Sequence, residues 1–125
     1  MRVLVDRVAL IYAMESPQRL SRRAKAVFAG TRYEREVSAL SLSEIAIKNR
    51  RGLFEIFERD LSRAGRPGNA RPAYSREHGL RLFGLPWHHA DPFDRQILAQ
   101  AFVEDIPIVT SDEVFERYPG VRVIW

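Results

Sequence analysis

Asp91-Pro92-Phe93-Asp94-Arg95-Gln96-Ile97-Leu98-Ala99-Gln100-Ala101, with Asp112 eighteen residues beyond Asp94, is the stretch that decides how this chain reads. Asp91 is a ready helix N-cap, Pro92 suits the first helical position, and Ile97, Leu98, Ala101 and Phe102 recur at helical spacing. Asp94 precedes Ile97, Leu98 and Ala101 by three, four and seven positions, which puts its carboxylate in line with the face to be buried. An acid in the first turn also meets the positive end of the helix dipole, worth about 0.3 to 1 kcal/mol, so Asp94 alone has a structural explanation. The apolar run Ile106-Pro107-Ile108-Val109, ending in Thr110-Ser111-Asp112, shifts the balance, because it reads as a buried strand delivering an acid at its carboxyl end. Ligands of open α/β sheets gather outside those ends, so Asp94 and Asp112 are expected to face one crevice.

Outward from there the same grammar repeats. Val3-Leu4-Val5 is a continuous apolar run that stops at Asp6, the pattern of a central parallel strand. Val8 to Met14 reads as a helix, Ser16-Pro17 as a break, and Leu20 to Phe28 as a second helix capped by Ser16 or Ser21 and ended by Gly30. Glu36 to Ala39 is expected as a strand, and Ser41 with Glu44 as a capping box opening a helix to Arg51. Leu53 to Ala64 reads as another helix, Gly65 to Asn69 as a turn-rich loop, and Arg71 to Tyr74 as a short edge strand, where Pro72 is tolerated. Ser75 caps a helix from Arg76 to Leu85, a short helix carries Val114 and Phe115, and Val121 to Trp125 closes the chain as a strand. Alternating strands and helices call for one α/β domain over residues 1–125, with a mostly parallel sheet and helices on both faces.

Composition narrows the function classes. A chain of 125 residues with 46% hydrophobic and 29% charged residues is globular, and no apolar run approaches the roughly 18 residues of a membrane span. The absence of cysteine removes disulfides and thiolate metal sites and, with no signal-peptide pattern behind Met1-Arg2, makes a reducing cytoplasm the expected location. Net charge is +4 and Lys25 and Lys48 are the only lysines, so the positive charge is nearly all arginine, whose fork matches phosphate. That is weak support for a nucleic-acid partner, since the acids nearly balance it.

Asp6, Glu44, Asp94 and Asp112 each fall at or just past the carboxyl end of an expected strand. Each has a local explanation; for Glu44 these are the capping box and a pair with Lys48 four residues on. Four converging carboxylates share no such explanation, because they raise one another's pKa unless a cation neutralises them. Oxygen ligands without cysteine suit Mg²⁺ or Mn²⁺, and such ions serve phosphodiester hydrolysis. The chain has no Gly-rich phosphate loop and no Gly-x-Ser-x-Gly elbow, which argues against an NTPase and an α/β-hydrolase. A phosphoacceptor domain of the receiver kind expects two adjacent acids after the first strand, whereas Asp6 is followed by Arg7.

These residues match a known pattern. Leu4-Val5-Asp6, Val37-Ser38-Ala39 with Ser43-Glu44-Ile45-Ala46-Ile47-Lys48, His89-Ala90-Asp91-Pro92-Phe93-Asp94-Arg95 with Ile97 to Ala101, and Val109-Thr110-Ser111-Asp112 with Phe115 closely resemble PIN-domain proteins of the VapC toxin type, and the resemblance runs through the closing Val121-Arg122-Val123-Ile124-Trp125. The resemblance implies a Mg²⁺- or Mn²⁺-dependent ribonuclease with Asp6, Glu44, Asp94 and Asp112 as metal ligands, a VapB-type antitoxin that blocks the site, a homodimer, and a five-stranded parallel sheet. One position departs: the family usually follows its first aspartate with a small hydroxyl residue, and here Asp6 is followed by Arg7. Arg7 is expected to pair with a site carboxylate or an RNA phosphate, and loss of a supporting hydroxyl can cost 10- to 100-fold in activity or metal affinity. A PIN domain that binds RNA or antitoxin without cutting is therefore the alternative.

Around the acids, Thr110 is a candidate to hydrogen-bond within the cluster, and Asp91 reads first as a helix cap and second as a water-mediated metal contact. Arg50, Arg51 and Arg95 are candidates for RNA phosphates. His88-His89 lacks a third zinc ligand, and Trp87 and Trp125 are expected in a core or a subunit interface.

Overall fold

The computed structural model describes residues 1–48 and 74–125. Its centre is β1 (Arg2–Val5), which pairs in parallel with β2 (Glu34–Val37) on one side and β3 (Ile108–Val109) on the other; β4 (Val123–Ile124) joins β3. The order β2-β1-β3-β4 is all parallel, as apolar strands covered on both faces require. Four strands are present among the described residues where about five are expected. Of the expected fifth, Arg71 to Ala73 lie outside those residues and Tyr74 sits in a bend. The expected helix Leu53 to Ala64 and loop Gly65 to Asn69 also lie outside them.

Period-two alternation sorts the strand side chains between two cores. Val3, Val5, Val109 and Ile124 face α1 (Arg7–Glu15), α2 (Arg22–Ala29) and Ile45 of α3 (Ala39–Lys48). Leu4 and Ile108 face the opposite way, onto Ile97, Leu98 and Ala101 of α5 (Pro92–Glu104), with Phe115 and Tyr118 filling the edge. The preceding helix, α4 (Arg76–Arg81), is shorter than expected and runs into a 3-10 turn at Leu82–Gly84.

Two local expectations are corrected. The second strand ends at Val37, where its register with Val5 ends, so α3 begins at Ala39 rather than after Ser41. Ser38 does the capping work: its Oγ accepts the Leu40 N–H at 3.2 Å and its carbonyl the Leu42 N–H at 3.3 Å. Ser41 is thus inside the helix, buried with its hydroxyl unpartnered among the described residues, and Glu44 is freed from the expected capping box. Trp87 is also not in a core; it is 74% exposed, with the Arg95 guanidinium 4.3 Å from its ring centroid. Trp125 is half-buried beside Tyr12.

Candidate metal and phosphate site

The chain crosses from the β2 side of β1 to its β3 side, so the order in which strands are added reverses between β1 and β3 while all of them stay parallel. The carboxyl ends at such a reversal splay apart and leave a crevice. The register Val5↔Val109 makes Asp6 and Thr110 neighbours there, each one residue past its strand. Thr110 Oγ1 donates to Asp6 Oδ2 at 2.9 Å and accepts the Asp112 N–H at 3.1 Å. One hydroxyl thereby orients the first acid and the loop carrying the last, as expected of Thr110. Asp6 also caps α1, its Oδ1 accepting the Arg7 N–H at 2.7 Å. Burial pushes its carboxyl above the ordinary value and the Glu44 charge adds to this, against the lowering effect of the Thr110 and Arg7 donors.

Glu44 reaches the same crevice from α3 and is only 2% exposed. Its Oε1 receives Lys48 Nζ at 2.6 Å and lies 3.3 Å from Arg7 Nε, while Oε2 is buried with no partner among the described residues. Lys48 Nζ also reaches Asp91 Oδ2 at 3.5 Å. The Glu44 hydrogen bond is the main reason the Lys48 ammonium is held above its ordinary pKa. Arg7 therefore pairs with a site carboxylate, one of its two expected roles.

Asp91 caps α5, its Oδ1 accepting the Phe93 and Asp94 N–H groups at 2.9 and 3.2 Å. Burial works to raise Asp91, but those donors and the Lys48 charge outweigh it and hold the carboxyl low. Asp94 behaves in the opposite way: burial first, then the charges of Asp91, Asp6, Glu44 and Asp112, push it up to about 7. Its Oδ2 lies 3.2 Å from His89 Nε2. Burial, with Arg95 and Arg117 contributing, keeps His89 below its ordinary pKa. Asp112 lies at the exposed rim and caps a 3-10 turn (Glu113–Arg117) through the Val114 N–H at 2.9 Å. Beside it, a cleft of about 330 Å³ is lined by Thr110, Ser111, Asp112, Glu113, Glu116, Val123 and Trp125.

Arg95 is corrected. It is 7% exposed and turned away from the crevice, donating to the carbonyls of Leu85, Pro86 and His89 and to the Tyr118 hydroxyl. A guanidinium with four acceptors in the protein is not offered to a phosphate. Arg50 and Arg51 lie outside the described residues. Two participants went unread in the sequence. The spacing of Lys48 from Glu44 signalled only a local helix pair, whereas the ammonium bridges two helices. His89 pairs with Tyr118, 29 residues away, a contact for which the sequence carries no signal.

Carboxylate oxygens without thiolates, one of them buried with no partner among the described residues, are the donor set of a hard divalent cation, and the residues fit one on those grounds. They do not form a ready cage, for among the described residues no three such groups stand within reach of a single ion. Lys48 and Arg7 hold Glu44 in its present position.

Comparison with known proteins adds the following. The PIN domain family profile matches residues 3–121. No curated protein sequence matches. Among solved structures, the fold is similar to VapBC2 from Rickettsia felis bound to a DNA fragment from its promoter, at a TM-score of 0.74 and 15% identity, covering 98% of this chain and 97% of that one. It is also similar to a toxin-antitoxin complex from Klebsiella pneumoniae, at a TM-score of 0.68 and 20% identity, covering 95% and 94%.

Proposed function

The chain belongs to the PIN domain family, and from that premise we propose that it is a metal-dependent endoribonuclease of the VapC toxin type. The observation that carries this reading is Glu44: a buried carboxylate with one oxygen unpartnered among the described residues, in the same crevice as Asp6 and Asp94, whose pKa values are raised first by burial and then by the neighbouring acids. Asp6, Glu44, Asp94 and Asp112 would hold Mg²⁺ or Mn²⁺. When bound, such an ion acidifies the attacking water and neutralises charge growing on the phosphate. The chain's own contributions are Thr110, which orients Asp6, and Asp91, which fixes the first turn of α5 and so the position of Asp94. Arg7 and Lys48 reach into the crevice on flexible stems, and with Glu44 engaged by a cation instead they would be available to RNA phosphates.

The partners proposed are an RNA substrate, a VapB-type antitoxin and a second copy of the chain; both structural relatives are toxin-antitoxin proteins in complexes. A cytoplasmic site of action is part of the proposal, and no helix among the described residues is long and apolar enough to cross a membrane. The test is cleavage of a mixed cellular RNA pool by the purified protein with Mn²⁺, with EDTA, and with the Asp94→Asn variant. Discrete fragments that require both metal and Asp94 are expected; cleavage by Asp94→Asn at the wild-type rate refutes the assignment.

The contact of Arg7 with Glu44 favours a second reading, a PIN domain restrained from cutting by its own cation. Arg7→Thr distinguishes the two. An unchanged rate supports the competent enzyme, and a gain of about tenfold or more, the scale of a lost supporting contact, supports the restrained one.

A further inference from the structure

Tyr118 is 1% exposed, and its hydroxyl lies 3.2 Å from Arg95 Nη1 and 2.6 Å from His89 Nδ1. Arg95 is itself immobilised by the carbonyls of Leu85, Pro86 and His89. A guanidinium only donates, so the phenol oxygen accepts from Arg95 and its own proton needs an acceptor. Among the described residues the acceptor within reach is His89 Nδ1. The opposite arrangement, with the ring proton on Nδ1, leaves a buried hydroxyl proton with no acceptor, which protein interiors avoid. With Nδ1 accepting, the neutral ring carries its proton on Nε2, 3.2 Å from Asp94 Oδ2.

We infer that His89 is a positioning residue for Asp94: Arg95, acting through Tyr118, locks the imidazole in its Nε2–H tautomer, and that N–H holds Asp94 Oδ2, leaving Oδ1 as the oxygen that would be offered to a cation. No described residue hydrogen-bonds Oδ1. The inference rests on the metal-site reading above and extends it to three residues outside the acid cluster. The same hydrogen bonds account for the burial of Arg95, whose task is to polarise Tyr118 rather than to bind RNA.

The experiment is a long-range ¹H–¹⁵N correlation spectrum of the histidine rings in metal-free protein, paired with Mn²⁺ titration by calorimetry. The wild-type His89 ring is expected to show a protonated Nε2 and an unprotonated Nδ1. Tyr118→Phe, which leaves Arg95 its three carbonyl acceptors, is expected to mix the two tautomers. His89→Ala is expected to weaken Mn²⁺ binding about tenfold or more, and His89→Gln, whose side-chain N–H takes the Nε2 position, to restore it to within about threefold. A proton found on Nδ1, an unaltered ring in Tyr118→Phe, or equal Mn²⁺ affinity in the Ala and Gln variants overturns the inference. Failure of the wild type to bind Mn²⁺ overturns the metal-site reading instead, and the ring spectra alone then uphold or overturn the tautomer lock.

Discussion

Replacing Lys48 with Met leaves the helix propensity and the aliphatic stem in place and removes one ammonium, which sits 2.6 Å from Glu44 Oε1 and 3.5 Å from Asp91 Oδ2. Glu44 is 2% exposed and its second oxygen has no partner among the described residues, so of those residues it then has Arg7 Nε at 3.3 Å as its remaining cation. Removing one partner of a fully buried pair costs about 3 to 5 kcal/mol. The Lys48 side chain is 42% exposed, however, and such pairs contribute about 0.2 to 1 kcal/mol when both charges are solvated. The mixed case, with a buried acid and a half-solvated base, should lie between these, about 1 to 2 kcal/mol in EDTA. For a domain of this size that lowers Tm by about 3 to 8 °C. The loss should be smaller with Mn²⁺ present, because a cation that replaces the ammonium at Glu44 no longer has to displace it, and tighter binding adds stability by mass action. Thermal denaturation of both proteins in EDTA and across a Mn²⁺ series measures this. Equal Tm values in EDTA would refute the role of Lys48 in neutralising Glu44, and equal Mn²⁺ stabilisation of the two proteins would refute competition at that carboxylate.

The raised Asp94 pKa makes stability depend on pH. Its folded value of about 7 exceeds the unfolded value, so the folded state binds the extra proton, and the Asp94 contribution is fully present below about pH 4 and lost as pH rises through about 7. His89, held low by burial, acts in the opposite sense over part of that window, so the clean measurement is a comparison with Asp94→Asn. That variant should gain stability relative to the wild type between about pH 5 and pH 8 in EDTA by urea denaturation, and a pH-independent difference would contradict the shift. Thr110→Val keeps the side-chain shape but strips the donor from Asp6 Oδ2 and the acceptor from the Asp112 N–H, a loss of about 1 to 3 kcal/mol by the same assay, accompanied by weaker Mn²⁺ binding. Arg95→Met should destabilise the fold by about 3 kcal/mol or more, since the carbonyls of Leu85 and Pro86 and the Tyr118 hydroxyl lose their donor. RNA binding by the folded fraction should be unchanged, and a selective loss of RNA affinity without loss of stability would return Arg95 to the phosphate-binding set.

Periodicity and end signals determined several of the elements by themselves. Val3-Leu4-Val5 and Ile108-Val109 are apolar on both faces, as the strands of a sheet covered on both sides are, and Asp91-Pro92 marks the start of α5 to the residue. The acids at the ends of those segments were legible for the same reason: a carboxylate beside a buried run is conspicuous against the cost of burying charge. The start of α3 is not legible locally because Ser41 and Glu44 also satisfy the capping rule, and the pairing of Val37 with Val5 decides where the strand stops. What the tertiary structure alone decided is which groups face one another across elements. Thr110 meets Asp6 because two strands far apart in sequence lie in register, Lys48 bridges to Asp91 because α3 and α5 share the crevice, and His89 reaches Asp94 and Tyr118 because the linker before α5 folds back over its first turn. Arg95, which stands next to an acid in sequence and points away from the crevice in space, marks the boundary between the two kinds of information. Spacing along the chain determines the local surface on which a side chain lies, whereas its contacts depend on packing between segments that local spacing does not encode.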